Sequence, residues 1–159
     1  MENIRVGFGY DVHQLGDGRK FVLGGVAIPS EKGPIAYSDG DVLIHALCDA
    51  LFGAACLGDI GVHFPDTSEE FRGIDSKVLL RKTMEKVEEL GYHVINIDST
   101  VSLERPKLKE YVPNIQSMLS KLLKIPTTAI SIKATTSEKL GFVGREEGIA
   151  AQVVVLITK

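Results

Sequence analysis

The spacing of apolar positions along the chain changes period several times, and each change marks an element. Ile4, Val6 and Phe8 alternate with other residues, which predicts a strand over residues 3–9. A second strand is predicted over 20–28, ended by Pro29 and followed by the turn-rich loop EKGPIAYSDGD. Residues 40–57 read as a helix, 58–74 as a loop, and 76–90 as an amphipathic helix closed by Gly91. The segment HVINIDSTVSLE, residues 93–104, alternates cleanly. Its pattern puts His93, Ile95, Ile97, Ser99, Val101 and Leu103 on one face and predicts the longest strand. A helix over 108–124, opened or kinked at Pro113, and strands over 129–135 and 148–158 complete the chain. No repeat or linker interrupts this order, so residues 1–159 read as one domain. An α+β fold is expected, a mixed β-sheet with helices packed on one face.

The helix over 40–57 departs from the amphipathic norm. VLIHALCDALFGAACL is apolar nearly all round, which marks a helix buried on most sides or packed against another subunit. Its polar exceptions Asp41, His45 and Asp49 fall at i, i+4 and i+8 and form one stripe. That stripe is either the solvent face or a functional one; Asp and His in place of Lys, Glu and Gln leave both readings open. Cys48 and Cys56, roughly 12 Å apart along such a helix, cannot bridge each other. Both are expected to be free buried thiols.

Composition removes whole classes of function. A net charge of −3 over 159 residues, with no basic block, argues against a nucleic-acid partner. The start MENIRVGFGY has no apolar core of a signal peptide, and the run VVVLI is too short to cross a bilayer. A soluble cytoplasmic protein is expected, or a plastid protein whose transit peptide has been removed.

The stretch GFGYDVHQL offers two chemistries. A dinucleotide-binding loop needs a third glycine where Val12 stands and a helix opening there. That reading fails, and Gly7 and Gly9 are instead expected to let neighbouring backbone pack closely. In an extended segment Asp11 and His13 share one face while Tyr10 and Val12 face the other way. This is half a metal site, or an ordinary surface DxH. Elsewhere Thr135 and Glu138 fit a capping box that would start a short helix. LGDIG and FPDTS fit turn chemistry around Asp59 and Asp66, and LERPKLK a strand end stopped by proline.

Taken together, in order and spacing, GYDVH, SDGDVLIHALCDALFGAACLGDIG, FPDT, ERPK and KATTSEKLGFVGR closely resemble the 2-C-methyl-D-erythritol 2,4-cyclodiphosphate synthase family of the non-mevalonate isoprenoid pathway. The resemblance implies a Zn²⁺ ion on Asp11, His13 and His45, three ligands that leave a fourth position open as in catalytic zinc sites. Asp49, one turn beyond His45, could orient its imidazole or be only a helix acid. The resemblance further implies that hydroxyls and N–H groups of Thr135, Thr136 and Ser137 face a diphosphate, while Glu138 holds Mg²⁺ or Mn²⁺ with it. Substrate hydroxyls and phosphate would be met by Asp11, Val12, His13, Tyr37, Ser38, Asp59, Ile60, Gly61 and the loop Phe64, Pro65, Asp66, Thr67 and Ser68. Cytosine and ribose would lie at Leu103, Pro106, Lys107, Leu108 and Lys109, largely on backbone groups. Phe142 and Arg145 would lie near the substrate phosphate or a trimer axis, and could equally be structural. One departure stands out: where the family commonly has histidine before SDGD, this chain has Tyr37. A phenol can donate a hydrogen bond to a migrating phosphate but carries no positive charge at neutral pH.

The implied reaction converts 4-diphosphocytidyl-2-C-methyl-D-erythritol 2-phosphate to the cyclic diphosphate and CMP. The 2-phosphate attacks the β-phosphorus in line, and Thr136 and Tyr37 donate to the reacting phosphates. A homotrimer with active sites between subunits is implied, with an isoprenoid diphosphate along its axis as a further ligand; the apolar helix and the aliphatic final strand are both compatible with buried subunit contacts. Two rivals remain at this stage: a zinc phosphohydrolase and a non-catalytic oligomer that binds isoprenoid diphosphates.

Overall fold

The computed structural model describes residues 3–159. The first strand, β1, runs over Arg5–Asp17, well past the predicted end, because the alternation of Val6, Phe8, Tyr10 and Val12 with Gly7, Gly9, Asp11 and His13 continues through the DVH segment. The predicted strand over 20–28 is instead two short strands, β2 (Val22–Leu23) and β3 (Val26–Ala27), folded about Gly24 and Gly25. Both glycines have positive φ, which reverses the chain inside that apolar run. The following loop contributes a further strand, β4 (Lys32–Ile35), antiparallel to the end of β1.

Helix α1 (Val42–Ala54) carries Asp41 as its N-cap, whose carboxylate accepts from the Ile44 N–H at 3.0 Å. The segment after it is a loop interrupted by one helical turn, α2 (Ile60–His63), and by a 3₁₀ turn at Glu69–Phe71. Helix α3 (Ser76–Glu89) buries Leu79, Leu80, Thr83, Met84 and Val87 along one stripe. Strand β5 (His93–Ser102) has a bulge between Val94 and Asn96 that shifts the alternation. His93 and Ile95 are therefore exposed, whereas Val94, Ile97, Ser99 and Val101 face the core. Helix α4 (Val112–Leu123) accommodates Pro113 in its first turn without a kink partner to lose, and ends at Lys124 in the left-handed conformation. Strand β6 (Ile130–Thr135) and strand β7 (Gly148–Thr158) flank a single helical turn, α5 (Gly141–Gly144).

The main sheet has the order β4-β1-β7-β5-β6. Only β5 and β6 are parallel, as the crossover through α4 requires; the other pairings are antiparallel, so the sheet is mixed as expected. The helices cover one face. Helix α1 lies across β1 and β7, with α3 beyond it and α4 against β6. This arrangement accounts for the all-round apolar character of α1 within a single chain. Ten of its residues are buried between the sheet and α3, so no subunit contact is needed to explain them.

Gly7 and Gly9 set how close α1 comes. A Cβ on Gly7 would fall inside the carbonyl oxygen of Ala50, and one on Gly9 inside that of Ala46. Helix and strand therefore meet backbone to backbone. On the other face of β1, Val6 (64%), Phe8 (62%), Tyr10 and Val12 are exposed, with Val154 of β7 beside Phe8. Of the two segments compatible with subunit contact by sequence, the apolar helix is buried within the chain, whereas the final strand shares this exposed face through Val154. Cys48 is buried and its thiol is pushed up to about 12 by that burial; Cys56, expected buried, is exposed just beyond the end of α1. No helix among the described residues is long and apolar enough to cross a membrane.

Candidate metal centre and phosphate site

Three donor atoms converge where β1 passes the first turns of α1. Asp11 Oδ2 lies 3.0 Å from His13 Nε2 and 3.1 Å from His45 Nδ1, and the two ring nitrogens are 3.0 Å apart. Asp11 and His13 reach the same point because they are two apart on a strand. His45 joins them because Gly7 and Gly9 draw α1 onto that strand. The stripe of Asp41, His45 and Asp49 thus faces the protein, not solvent. Each of its members does something different: Asp41 is wholly buried and holds the Gly24 and Gly25 N–H groups at 2.9 and 2.6 Å, which fastens the β2–β3 turn to the start of α1. Asp49 does not orient His45; its carboxylate accepts from the Ile60 N–H at 2.7 Å and so ties down α2.

The spacing of the three atoms fits a small divalent ion. Tetrahedral bonds of ~2.0–2.1 Å place ligands roughly 3.3 Å apart, close to what is found here, and one aspartate with two imidazoles is a donor set for zinc-like ions. The electrostatics point the same way. Burial would raise the Asp11 carboxyl, but hydrogen bonds and charge from His13 and His45 override it and hold the group at about 2. Burial would lower the His45 imidazole, yet the neighbouring Asp11, with Asp41 and Asp39 further off, raises it. A concentrated negative charge next to two imidazoles is a place for a cation.

The three candidate ligands open onto a cavity of about 510 Å³. It is lined by Tyr37, Ser38, Ile60, Gly61, Phe64, Pro65, Asp66 and Thr67 as well as Asp11, His13 and His45. Ala36, Phe71, Ile74 and Leu79 complete the wall; they carry no polar group and gave no signal in the sequence. Ser38 Oγ is 3.1 Å from His45 Nε2, and Ser76 Oγ, from the start of α3, is 2.9 Å from the same nitrogen. The Tyr37 hydroxyl donates to the Ser68 carbonyl at 3.2 Å. Asp59 faces its own helix, capping Val62 N–H at 3.0 Å, and neither it nor Ser68 lines the cavity. The Val12 side chain lies on the opposite face of the sheet.

A second hollow of about 240 Å³ collects Leu103, Pro106, Lys107, Leu108, Lys109, Thr135 and Thr136. The register His13↔Ile149, Ala150↔Ser102 and Ser102↔Thr135 puts it at the same end of the sheet as the metal ligands, three strand spacings away, or roughly 14 Å. The two groups do not meet within one chain. The capping box is not realised here: Glu138 and Lys139 have positive φ, and the Thr135 hydroxyl donates to the Thr136 carbonyl. The Ser137 N–H is taken by Glu104 at 3.0 Å, with the Lys139 N–H at 3.3 Å on the same oxygen. Glu104 is the organiser of this loop that the sequence did not reveal, since a glutamate at a strand end has many ordinary uses. Thr136 Oγ1 and Glu138 Oε1 are 3.4 Å apart, exposed and turned to solvent. Arg145 pairs with Glu147 at 3.0 Å, and the Phe142 ring packs beside Gly148.

The family model of the YgbB family matches residues 4–158. This chain belongs to the YgbB family. Among YgbB relatives, the curated 2-C-methyl-D-erythritol 2,4-cyclodiphosphate synthase of Bacteroides fragilis is 56% identical over 156 residues, covering 98% of each chain. Among solved structures, a 2C-methyl-D-erythritol-2,4-cyclodiphosphate synthase in its CDP-bound form superposes with a TM-score of 0.90 at 41% identity, over 96% of this chain and 99% of that one. The bifunctional IspDF of Campylobacter jejuni matches with a TM-score of 0.95 at 45% identity, over 99% of this chain but 43% of that one. The YgbB fold of this chain therefore corresponds to a whole synthase in the first two cases and to part of a longer enzyme in the third.

Proposed function

We propose that the chain, as one domain across residues 1–159, is a 2-C-methyl-D-erythritol 2,4-cyclodiphosphate synthase acting in the cytoplasm. It converts 4-diphosphocytidyl-2-C-methyl-D-erythritol 2-phosphate to the cyclic diphosphate with release of CMP. The observation that carries this reading is the triangle of Asp11, His13 and His45 at the head of a 510 Å³ cavity, in a chain whose curated relatives bear that name.

Asp11, His13 and His45 would hold Zn²⁺, which would supply Lewis-acid polarisation of a phosphate oxygen, and Glu138 would hold Mg²⁺ or Mn²⁺, which would supply charge neutralisation for the diphosphate. A single exposed carboxylate suits the latter, because Mg²⁺ takes most of its remaining ligands from water and substrate phosphate. The chain's own groups do the positioning. An oxygen of the 2-phosphate forms a bond to the β-phosphorus, the bond from that phosphorus to the oxygen shared with the α-phosphate breaks, and CMP carries that oxygen away. The nucleophile is already an anion, so no general base is required. Ser38 and the Tyr37 hydroxyl donate to the attacking phosphate, Tyr37 after leaving the Ser68 carbonyl. Thr136 donates to the charge on the transferring phosphorus oxygens.

Phe64, Pro65, Asp66 and Thr67, with Ile60 and Gly61, enclose the methylerythritol portion. The hollow from Leu103 to Lys109 takes the cytidine, and a relative of the same fold in a CDP-bound form favours that ligand class. The distance between the two hollows makes sense of an assembly. A homotrimer that uses the apolar outer face of β1 would bring the Thr135–Glu138 loop of one subunit to the cavity of the next, with Phe142 and Arg145 nearby. An isoprenoid diphosphate would be the further ligand along its axis. Incubation of protein and substrate with Mg²⁺ and Zn²⁺, followed by phosphorus NMR, tests the reaction. Cyclic diphosphate and CMP in equal amounts are expected; open-chain monophosphates would indicate a phosphohydrolase, and unchanged substrate a binding protein.

A further inference from the structure

His45 meets the metal position with Nδ1, and its far nitrogen, Nε2, is enclosed by α3 and the loop that precedes α1. Ser76 Oγ lies 2.9 Å from Nε2, and the Ser76 hydroxyl also meets Asp39 Oδ1 in a short hydrogen bond. Asp39 is itself held: its other oxygen accepts from the Ser76 N–H at 2.9 Å, Oδ1 accepts from the Asp41 N–H at 3.2 Å, and its N–H donates to the Ile74 carbonyl at 3.1 Å. Ser76 is wholly buried, and no water-facing side remains from which its hydroxyl could take another partner.

The direction of these bonds follows from counting hydrogens. A hydroxyl has one to give, and a carboxylate oxygen only accepts. The Ser76 hydrogen therefore belongs to Asp39, and toward His45 the Ser76 oxygen can only accept. Nε2 must then carry a hydrogen, so that in the neutral, metal-binding ring Nδ1 is the lone-pair nitrogen, aimed at the point shared with Asp11 and His13. Ser38 Oγ stands slightly farther from Nε2, at 3.1 Å, and already accepts from the Gly40 N–H at 3.3 Å; no carboxylate fixes its hydrogen, which stays free for a ligand in the cavity.

We infer that Asp39 and Ser76 form a positioning relay that fixes which nitrogen of His45 binds the metal. They do so through hydrogen-bond direction and without touching metal or substrate. This inference rests on the metal reading of Asp11, His13 and His45 and deepens it. Asp49, the carboxylate one turn away on the same helix, makes no hydrogen bond to His45 and accepts instead from the Ile60 N–H. The relay also ties the start of α3 to the ligand set, so that a segment distant in sequence sets the orientation of a ligand on α1.

The test reads zinc affinity and the His45 ring separately from turnover. In the unsubstituted zinc-loaded protein, long-range proton–nitrogen NMR of the histidine side chains is expected to show the His45 hydrogen on Nε2, slow to exchange with solvent, and the metal on Nδ1. Metal on Nε2 would overturn the inference, whether or not any variant folds. Ser76→Ala and Asp39→Asn are expected to lower zinc affinity by about 10–100-fold, and to move or broaden the Nε2–H resonance. A helix staple alone would instead lower the urea midpoint and leave affinity and resonance in place; zinc affinity within about twofold of the unsubstituted protein in both folded variants, well short of the loss expected from an outer partner, overturns the relay. Failure of the unsubstituted protein to bind zinc removes the metal reading, whereas equal binding by parent and variants removes only the relay.

Discussion

The two faces of β1 are built from alternate residues of one short stretch, and they have opposite tasks. The inner series, Gly7, Gly9, Asp11 and His13, begins with the absence of side chains and ends with two that could hold a metal ion. The outer series, Val6, Phe8, Tyr10 and Val12, is apolar throughout and exposed. The difference shows how a single strand can organise a centre within the chain on one side and leave an exposed apolar surface on the other. The glycines matter because His45 can join Asp11 and His13 only if α1 lies almost on the strand backbone. The outer residues are left exposed among the described residues, although a row of large apolar side chains on a sheet ordinarily has a partner.

The largest effect is expected at the hinge of the inner series. Gly9→Ala places a methyl group against the Ala46 carbonyl, which belongs to helix backbone and cannot step aside as a side chain could. A loss of roughly 3 kcal/mol, the upper range for overpacking, should appear in urea unfolding, together with weaker zinc binding as α1 is pushed away. Unchanged unfolding would mean that helix and strand are not in backbone contact, and the account of how the ligands assemble would fall. Next in size is His13→Ala. Bound zinc should drop from stoichiometric to undetectable by atomic absorption, and turnover with it, while far-ultraviolet circular dichroism stays as it was. Retained zinc at full occupancy would remove His13 from the ligand set.

Much of the inner face was legible from alternation alone. The side-chain period of a strand placed Asp11 with His13, and the helical period placed Asp41, His45 and Asp49 on one stripe. The motif resemblance then joined the two. What alternation could not give was the individual partner of each stripe residue, because that depends on which loop passes by. The Ile60 N–H claims Asp49, the Gly24–Gly25 turn claims Asp41, and Ser76 claims the outer nitrogen of His45. The break in the predicted strand over 20–28 was hidden by its apolar run, since two glycines in a strand pattern are compatible with a bulge as well as a turn. The phase of β5 was lost at a single inserted residue between Val94 and Asn96. The outer face of β1 is in plain view in the alternation, but long apolar runs point to the all-round apolar helix and the final strand, and only the latter shares that face, through Val154.

A charge on that outer face sharpens the contrast with the glycines. Phe8→Lys should leave the stability of the isolated chain within about 0.5 kcal/mol, as for other exposed substitutions, yet lower the oligomer mass seen by analytical ultracentrifugation. Turnover should fall as well, because the Thr135–Glu138 loop would no longer have a neighbouring cavity to face. An oligomer of unchanged mass would free the outer face from the role of subunit contact.

The smallest expected effect is one of pH, and it concerns the inner face without its ion. Asp11, held at about 2 by His13 and His45 against the cost of burial, starts from an ordinary value of 3.8. Its contribution, about 2.5 kcal/mol at ~1.4 kcal/mol per unit, is present above roughly pH 4 and is lost as pH falls toward 2. His45 is shifted the other way: burial opposes its charge, but the carboxylates around it prevail and raise it. Its contribution is complete below about pH 6.5, the ordinary histidine value, and disappears as pH rises through the raised value. Metal-free protein should therefore be most stable between these limits and lose stability on the alkaline side. Zinc-loaded protein should keep its stability there, since the ion replaces the proton on the ring and binds more tightly as competing protons are withdrawn. Urea midpoints at pH 6 and pH 8.5, with chelator and with zinc, measure the difference. A metal-free protein as stable at pH 8.5 as at pH 6 would mean that the three groups do not share a proton, and would separate His45 from the inner face of β1.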